Sequence, residues 1–326
     1  MQASRFLKDD APRLRALQLL QVLEEPVDER LEKFTRLARK LFDVPIAMVS
    51  LVPHDRLWYR VHLGIDVSEA KRNIASCGRA LRQADVFVVE DVHKDLGVHY
   101  VPMTVERPQI RFYAEYAIRE PSGHRIGALS VMDAAPRRFG GEERELLRAL
   151  GQLAEQQLES YLLATTDELT QVSNRRGFLQ LATKGLAISN RAGDGSVLLM
   201  FDLDGFKDIN DGLGHHVGDR ALAEFAHCLL LTCRDADIVG RLGGDEFCAF
   251  LPNCGIDGAG ALVARLVRHV AQVNGSGAIP ARLQFSVGMA VTEPGQNQNL
   301  ETLLARADRQ MYANKRRRRY PISAVG

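Results

Sequence analysis

The stretch "RLGGDEFCAF", residues 241–250, places two glycines and two adjacent carboxylates between apolar residues. Burying an unpaired charge is costly, so Asp245 and Glu246 need either a cationic partner or a position in a surface turn. The glycines are typical of a hairpin tip, and the apolar residues after them are typical of a strand. The stretch therefore predicts a strand hairpin that presents two carboxylates, and the rest of the sequence must show what they meet.

Length and composition restrict the class of protein. The chain has 326 residues, which favours two domains, and its net charge of +1 gives no argument for binding to nucleic acid or to a membrane. Its N-terminus lacks the apolar region of a signal peptide. The five cysteines form no CxxC pair, which argues against a zinc site or a disulfide framework. We expect a cytoplasmic protein with neither a nucleic-acid nor a membrane partner.

Apolar periodicity and turn residues predict an α+β fold in two domains. We expect an N-terminal helix in residues 1–25, a first domain in 26–145, a linker helix in 146–165 and a second domain in 166–320. Helices are predicted at 11–24, 28–42, 141–164, 175–190, 218–233, 258–273 and 299–317. Strands are predicted at 46–52, 57–64, 86–91, 111–120, 125–133, 196–203 and 282–291, beside the hairpin at the two glycines.

The long helix before the second domain has leucines at three-to-five-residue intervals, which predicts one apolar face. The residues on that predicted face are Leu146, Leu150, Leu153, Leu158 and Tyr161. Two interpretations stay open for this face. It either packs onto the first domain or forms a short coiled coil with a second chain.

A second acidic position follows the apolar run in "SVLLMFDLDGFKDIND", residues 196–211. Asp202 ends that run, as in a central strand, where a solvated strand end is the simplest interpretation. The start also resembles a calcium-binding loop, but the twelfth position is Leu213 where such a loop needs a glutamate. Together with Asp245 and Glu246, Asp202 predicts two strand ends that hold Mg²⁺ against phosphates.

The segment after Asp202 offers groups that suit a nucleotide. Lys207 is predicted in the turn after the strand, where an ammonium and free backbone amides suit phosphates. Asn210 and Asp219 flank a glycine-rich stretch, "DGLGHHVG", which we predict to be a loop. A carboxylate accepts two hydrogen bonds from the guanine edge, which adenine cannot supply. The stretch therefore favours a guanine nucleotide.

These motifs give the second domain a clear resemblance. Residues from about 166 to 320 resemble the GGDEF domain of diguanylate cyclases. The resemblance rests on "DELTQVSNRR" (167–176), "FDLDGFKDINDGLGHHVGDRAL" (201–222), "RLGGDEF" (241–247), "FSVGMA" (285–290) and "ADRQMYANK" (307–315). It implies a polymerase-type palm fold that condenses two GTP into cyclic di-GMP and two pyrophosphates. It also implies a homodimer in which each half presents one GTP.

The resemblance implies a role for each matching residue. Two Mg²⁺ ions per active site would be held by Asp202, Asp245, Glu246 and the carbonyl of Leu203. Asp245 would also be the base for the 3′-hydroxyl group. Guanine would be bound by Asn210 and Asp219, with His215 lining the same stretch. The triphosphate would meet Lys207, Lys315 and Arg319.

The resemblance also implies feedback control by the product. Arg234 and Asp237 have the RxxD spacing of an inhibitory cyclic di-GMP site, and Arg265 is at the position of a secondary arginine. The sequence departs from the family pattern near Lys315. Asn314 replaces the usual alanine, and Arg318–Arg319–Tyr320 replaces the usual glycine-arginine-asparagine. These departures leave the metal ligands unchanged.

The first domain resembles a GAF sensory domain over residues from about 20 to 160. The stretches that carry this resemblance are "LARKLFDVPIAMVSLV", "RLWYRVHLGIDV" and "ERPQIRFYAEYAIREPSGHRIGALSVMDAAPRRF". It implies regulation by a small ligand that the sequence does not identify. The main alternative to a regulated cyclase is a catalytically silent cyclic di-GMP receptor or signalling adaptor. Because every acid of the signature is present, the sequence favours the enzyme.

Overall fold

The computed structural model describes residues 29–51, 56–64, 69–71, 85–94, 109–120, 123–292 and 298–319. The chain divides into two compact units, Met1–Leu162 and Leu163–Gly326. The N-terminal helix predicted within residues 1–25 lies outside the described residues. The domain boundaries predicted from the sequence stay predictions.

The first unit is built on one antiparallel sheet with six described strands. Its strand order is β3-β2-β1-β6-β5-β4. The described elements are α1 (Glu29–Leu41), β1 (Ile46–Leu51), β2 (Arg56–Leu63), β3 (Glu69–Lys71), β4 (Val86–Val89), β5 (Phe112–Arg119), β6 (Arg125–Asp133) and the long helix α2 (Gly141–Thr165). The mixture of helices with an antiparallel sheet confirms the predicted α+β class for this unit.

Helix α2 covers one face of this sheet. Leu150 and Leu158 are buried in the same apolar cluster as Phe112, Ala114 and other β5 residues. Leu146 and Leu153, by contrast, are 40% and 51% exposed. The prediction that all the spaced leucines share one face is therefore wrong. At 100° per residue, the two exposed leucines lie outside the arc that meets the sheet.

Tyr116 of β5 fixes the position of α2. A Cβ atom at Gly151 would lie 2.0 Å from the Tyr116 ring, so the glycine lets the ring lie against the helix. One helical turn further, Glu155 accepts hydrogen bonds from the Tyr116 hydroxyl at 2.9 Å and from the Arg119 amide at 2.7 Å. Burial raises the pKa of Glu155. The helix is thus held to the strand by a packed ring and by two hydrogen bonds.

The second unit is a four-stranded antiparallel sheet in the order β10-β7-β9-β8 with five helices described around it. The elements are α3 (Arg175–Ala192), β7 (Ser196–Leu203), α4 (Phe206–Leu213), α5 (His215–Thr232), β8 (Ile238–Gly243), β9 (Glu246–Leu251), α6 (Ile256–Ser276), β10 (Phe285–Thr292) and α7 (Leu300–Arg319). Every residue of β7 is buried, as predicted for a central strand. Edge-on contacts of Phe201 with Phe225 and Phe285 fill the core below it.

The glycine-rich loop predicted between Asn210 and Asp219 is wrong. The chain is helical on both sides of Gly214, which alone breaks the helix at φ 86° and ψ 155°. Gly218 lies inside α5, where a Cβ atom would come within 1.9 Å of the Asn210 side chain. Its lack of a side chain allows α4 and α5 to approach each other, and this contact outweighs the low helix propensity of glycine.

Candidate active site

Asp202, Asp245 and Glu246 all lie at one end of the second sheet. Strand pairing places Asp202, the second-last residue of β7, opposite Glu246, the first residue of β9. The amide of Leu203 donates a hydrogen bond to the Asp245 carbonyl at 3.2 Å. The structure therefore brings the predicted acids together, because antiparallel pairing sets the end of one strand beside the start of the next.

One lysine reaches this acidic cluster. Lys315, on the last turns of α7, donates a hydrogen bond from Nζ to Oδ1 of Asp202. Burial raises the pKa of Asp202 in spite of this contact, and the nearby Asp245 carboxylate raises it further. Burial also raises the pKa of Glu246, with Asp202 and the α7 residue Asp308 adding to the effect. The cluster therefore favours additional positive charge.

The donor chemistry fits a hard divalent cation. Carboxylate and carbonyl oxygens are the ligands of Mg²⁺, which is usually held by one or two carboxylates together with waters and substrate phosphates. In the described part of the chain, no three His, Cys, Asp or Glu side chains are grouped closely enough to hold a metal by themselves. Asp202 and Glu246 lie opposite each other on paired strands, and Asp245 is the chain neighbour of Glu246, so these carboxylates could contribute to such a shared site.

The turn between β8 and β9 is fixed by Arg241, which the sequence reasoning did not select. Gly244 has a left-handed φ of 50°, and Arg241 donates from Nε and Nη2 to its carbonyl at 2.9 and 2.8 Å. Nη1 of the same arginine donates to both carboxylate oxygens of Asp167, at 3.1 and 3.2 Å. Burial opposes ionisation of Asp167, but hydrogen bonds from Thr170 and the charge of Arg241 lower its pKa overall.

A cleft of about 410 Å³ lies beside this turn. Arg175 and Arg176 at the start of α3 line it, together with Arg241 and the two glycines of the signature. The charge of Arg175 partly opposes the rise in the pKa of Glu246 that burial and the neighbouring acids cause. The two arginines were present in the quoted motif at 167–176, but their spacing gave no signal that they would lie near the carboxylates.

The predicted nucleotide-binding residues lie mainly on α4 and α5. Lys207 is exposed in the first turn of α4, and His215 is exposed at the start of α5. The Asn210 side chain lies against Gly218, which is the neighbour of Asp219 in the chain. The Asn210 side chain therefore lies beside the chain segment that carries Asp219. Arg319 ends α7, and its side chain lies outside the described residues.

The predicted inhibitory residues also lie close together. The Arg234 amide donates to Oδ2 of Asp237 at 2.7 Å, and the Asp237 amide donates to the Arg234 carbonyl at 3.0 Å. Arg265 on α6 donates to the Thr232 carbonyl at 3.1 Å. Burial raises the pKa of Asp237, while Arg234 and Arg265 oppose that rise by their charges. Two arginines therefore flank one acid at a surface turn.

Two family models match the chain in succession. Residues 26–158 match the GAF domain, and residues 164–320 match the domain described as "Diguanylate cyclase, GGDEF domain". No helix in the described ranges has the length and apolarity to cross a membrane.

Curated relatives resemble the chain over about half of its length. The probable diguanylate cyclase DgcE of Escherichia coli is 32% identical over 195 residues, which cover 59% of this chain and 16% of the relative. The response regulator PleD of Caulobacter vibrioides is 35% identical over 159 residues, covering 47% of this chain and 34% of the relative. The chain spans well under half the length of either protein.

A solved structure of the coiled coil and GGDEF domain of DgcB from Caulobacter crescentus, in complex with c-di-GMP, is also similar. It is 24% identical with a TM-score of 0.47, and the match covers 53% of this chain and 91% of that one. The two family models account for most of the chain between them. The protein therefore consists of a GAF domain followed by a domain that belongs to the GGDEF family of diguanylate cyclases.

Proposed function

We propose that the protein is a diguanylate cyclase that condenses two GTP molecules into cyclic di-GMP and two pyrophosphates. The observation that carries this proposal is the cross-strand pair of Asp202 and Glu246 with Lys315 beside it. At this site burial raises the pKa of Asp202 and of Glu246, and Lys315 contacts Asp202. A divalent cation bound together with a triphosphate would stabilise such a cluster, because the cation neutralises the negative charge of both.

In each of the two condensation steps, the 3′-hydroxyl oxygen of one nucleotide attacks the α-phosphorus of the other. The new bond joins that oxygen to the phosphorus, and the bond from the phosphorus to the bridging oxygen breaks to release pyrophosphate. Asp245, half-buried next to the metal-binding carboxylates, would accept the hydroxyl proton. Two Mg²⁺ ions held by Asp202, Asp245, Glu246 and the Leu203 carbonyl would supply charge neutralisation at the phosphates.

The remaining residues bind and orient the substrate. Asn210 and Asp219 are proposed to bind the guanine edge, with His215 near it. Lys207 and Lys315, together with Arg319, are proposed to contact the triphosphate. In this arrangement Lys315 would exchange its present contact with Asp202 for substrate phosphates, leaving that carboxylate to the metal.

Catalysis requires two GTP molecules, and we propose that a homodimer brings them together. Helix α2 supports this with an exposed stripe at alternating three- and four-residue spacing, formed by Leu146, Ala149, Leu153, Gln156, Ser160 and Leu163. This spacing is typical of a coiled-coil seam. The coiled coil considered from the sequence is thus proposed here on a different set of residues from those first expected.

We also propose that cyclic di-GMP inhibits the enzyme at the turn of Arg234 and Asp237. The planar guanidinium groups of Arg234 and Arg265 suit phosphate binding and stacking on guanine. Arg234→Ala should keep turnover and weaken inhibition by added product. Unchanged inhibition in this variant would refute the proposed inhibitory site.

The GAF domain is proposed to regulate the cyclase through an unidentified small ligand. The support is the attachment of Tyr116 and Arg119 to Glu155, which connects a GAF strand to the helix that leads to the next domain. Nucleotides and common metabolites can be tested on the full chain for a rise in melting temperature and a change in turnover. A compound that raises the melting temperature but leaves turnover unchanged would contradict ligand control of activity.

The decisive assay incubates the purified full chain with GTP and Mg²⁺ and identifies the products by mass spectrometry. We expect one cyclic di-GMP for every two pyrophosphates. Asp245→Ala should remove turnover while the protein stays folded. Bound cyclic di-GMP without any synthesis, at every protein concentration tested, would instead identify the chain as a silent receptor.

A further inference from the structure

Helix α7 lies along the free edge of the second sheet. Strand β10 is at that edge and pairs with β7 on its other side. Edge strands leave every second residue with outward amide and carbonyl groups, which need partners. Here the partners come from helix side chains. Gln310 accepts a hydrogen bond from the Met289 amide, and Asn314 donates one to the Val287 carbonyl at 2.8 Å.

A third contact continues the same row. Arg306 donates to the Val291 carbonyl at a longer distance of 3.4 Å and to Gln298 at 2.9 Å. The three helix positions are four residues apart, and the three strand positions are two residues apart. Four helical residues rise about 6.0 Å and two strand residues about 6.8 Å, so the contacts stay in step over about two turns of the helix. We call this row, formed by Arg306, Gln310 and Asn314, the edge ladder.

Gly288 makes the edge ladder possible. A Cβ atom at this position would lie 2.0 Å from the Ala307 carbonyl oxygen and 2.4 Å from the Met311 amide nitrogen. Both are backbone atoms that no side-chain rotation can move away. The helix backbone therefore lies directly on the strand, and short side chains such as asparagine reach the outward groups of β10.

Asn314 is the last rung of the ladder and immediately precedes Lys315. We propose that Asn314 is a positioning residue, which holds the final turns of α7 on β10 so that the Lys315 ammonium faces the carboxylate site. This inference rests on the proposed function, because it assigns the held lysine to the GTP triphosphate. GGDEF domains usually have an alanine at the position of Asn314. An alanine could not donate the hydrogen bond that Asn314 makes to the Val287 carbonyl.

Helix C-termini fray because their last carbonyls lack partners within the helix. A side chain bonded to the sheet restrains the turn that carries Lys315 and so limits the positions from which the lysine meets a phosphate. Preorganisation of this kind increases affinity without adding a contact to the ligand.

The test is a double-mutant cycle in nucleotide affinity on the full chain. The probe is guanosine 5′-(α,β-methylene)triphosphate with Mg²⁺, which binds without being turned over, and titration calorimetry measures its affinity. Asn314→Ala should weaken binding about 2- to 10-fold, the effect expected for one hydrogen bond. In a Lys315→Met background, Asn314→Ala should cause no further loss. Arg306→Ala, which removes the opposite end of the edge ladder, is the matched control and should leave affinity unchanged.

Hydrogen exchange on the nucleotide-free protein gives a second readout. We expect faster exchange at the amides of residues 311–317 in Asn314→Ala than in Arg306→Ala. Equal losses of affinity from Asn314→Ala in both backgrounds, or none in either, would overturn the positioning role while leaving the cyclase proposal intact. Absence of analogue binding in the unmodified chain would contradict both.

Discussion

Acidic residues near the strand ends of the two sheets differ in how their charges are neutralised. In the GAF unit, Asp91 accepts two hydrogen bonds from Arg111, and Asp133 accepts one from Arg137. Each of these acids has its own arginine. In the GGDEF unit, Asp202 and Glu246 lie side by side with another acid adjacent, and Lys315 contacts only the first of them.

We interpret the difference as one between acids that stabilise the fold and acids proposed to bind metal and substrate. The hydrogen bond from Arg111 lowers the pKa of Asp91, as in a closed ion pair. Burial raises the pKa of Asp202 and of Glu246, and the charges of neighbouring acids add to the rise. A protein tolerates such a cluster when a ligand completes it, which makes raised carboxylate pKa values a sign of a functional site.

Neutralising one acid of each kind tests whether the two groups of acids differ in function. Asp202→Asn should lower the rate of cyclic di-GMP formation by a factor on the order of 10² or more, because the lost charge acts mainly in the transition state. Its free energy of unfolding should stay the same or rise, since the variant relieves repulsion from the neighbouring acids. Steady-state kinetics and urea unfolding measure the two quantities.

Asp133→Asn is the control from the other sheet. This variant should leave turnover per folded molecule unchanged but lower the free energy of unfolding by about 1–2 kcal/mol, because Arg137 loses its charged acceptor. If Asp133→Asn reduced turnover as strongly as Asp202→Asn, the division between structural and functional acids would be wrong.

Arg241 forms an ion pair with Asp167 close to the carboxylate site. Its substitution tests whether this ion pair supports turnover. Arg241→Lys keeps the charge but loses the planar group that contacts Gly244 and Asp167 together. We expect a loss of turnover on the order of 10-fold, the scale of a misplaced positioning group. The Michaelis constants and turnover number should be measured at several GTP concentrations. Wild-type turnover in this variant would show that the turn holds its shape without Arg241.

In each unit a glycine lets a helix pack closely against the sheet, and in the GAF unit this glycine is Gly151 of α2. Gly151→Ala should lower the free energy of unfolding by about 1–3 kcal/mol, because the new methyl group collides with the Tyr116 ring. Gly260→Ala on α6 meets open space and should be neutral or stabilise by about 1 kcal/mol. Chemical denaturation of both variants makes the comparison, and equal effects would contradict the packing argument.

The smallest effect concerns the pH dependence of stability without metal. Because the pKa of Glu246 is raised in the native state, the folded protein binds the carboxyl proton more tightly than the unfolded chain does. The wild type therefore loses stability as the pH rises from the ordinary pKa of 4.5 through the raised pKa of the native state. Asp167, with a lowered pKa, contributes stability above its ordinary value of 3.8 that is lost as pH falls. Solvent screening keeps each effect below about 1 kcal/mol.

Urea unfolding in EDTA between about pH 3 and pH 8 measures these contributions. Glu246→Gln should be more stable than the wild type at neutral pH, and the gain should vanish in acid. Asp167→Asn should be less stable at neutral pH, and its deficit should vanish in acid. Differences of the same sign in both variants would contradict the assigned environments.

Much of the fold was predictable because the apolar patterns are strong. The buried run of β7 and the hairpin at Gly243 are set by local sequence, and the structure confirms both. Helix α4 and the start of α5 were missed because glycines normally favour a loop. The helical structure there depends on the close contact of Gly218 with Asn210, which cannot be predicted from the local sequence pattern.

The candidate site was predictable only in part. Carboxylates at two strand ends gave a clear signal, and antiparallel pairing joins them. Arg241 and Asp167 were missed because they lie 74 positions apart in the chain, and no short sequence motif contains both. Asn314 was visible only as a departure, since its role depends on an outward carbonyl of β10.

We propose that the acids opposite each other on β7 and β9 make this chain a cyclase. The most direct measurement compares the wild type with Glu246→Gln in GTP and Mg²⁺, following cyclic di-GMP and pyrophosphate together. We predict a ratio of one to two for the wild type and no synthesis by the folded variant. Absence of product from the wild type, or equal synthesis by Glu246→Gln, would contradict the account.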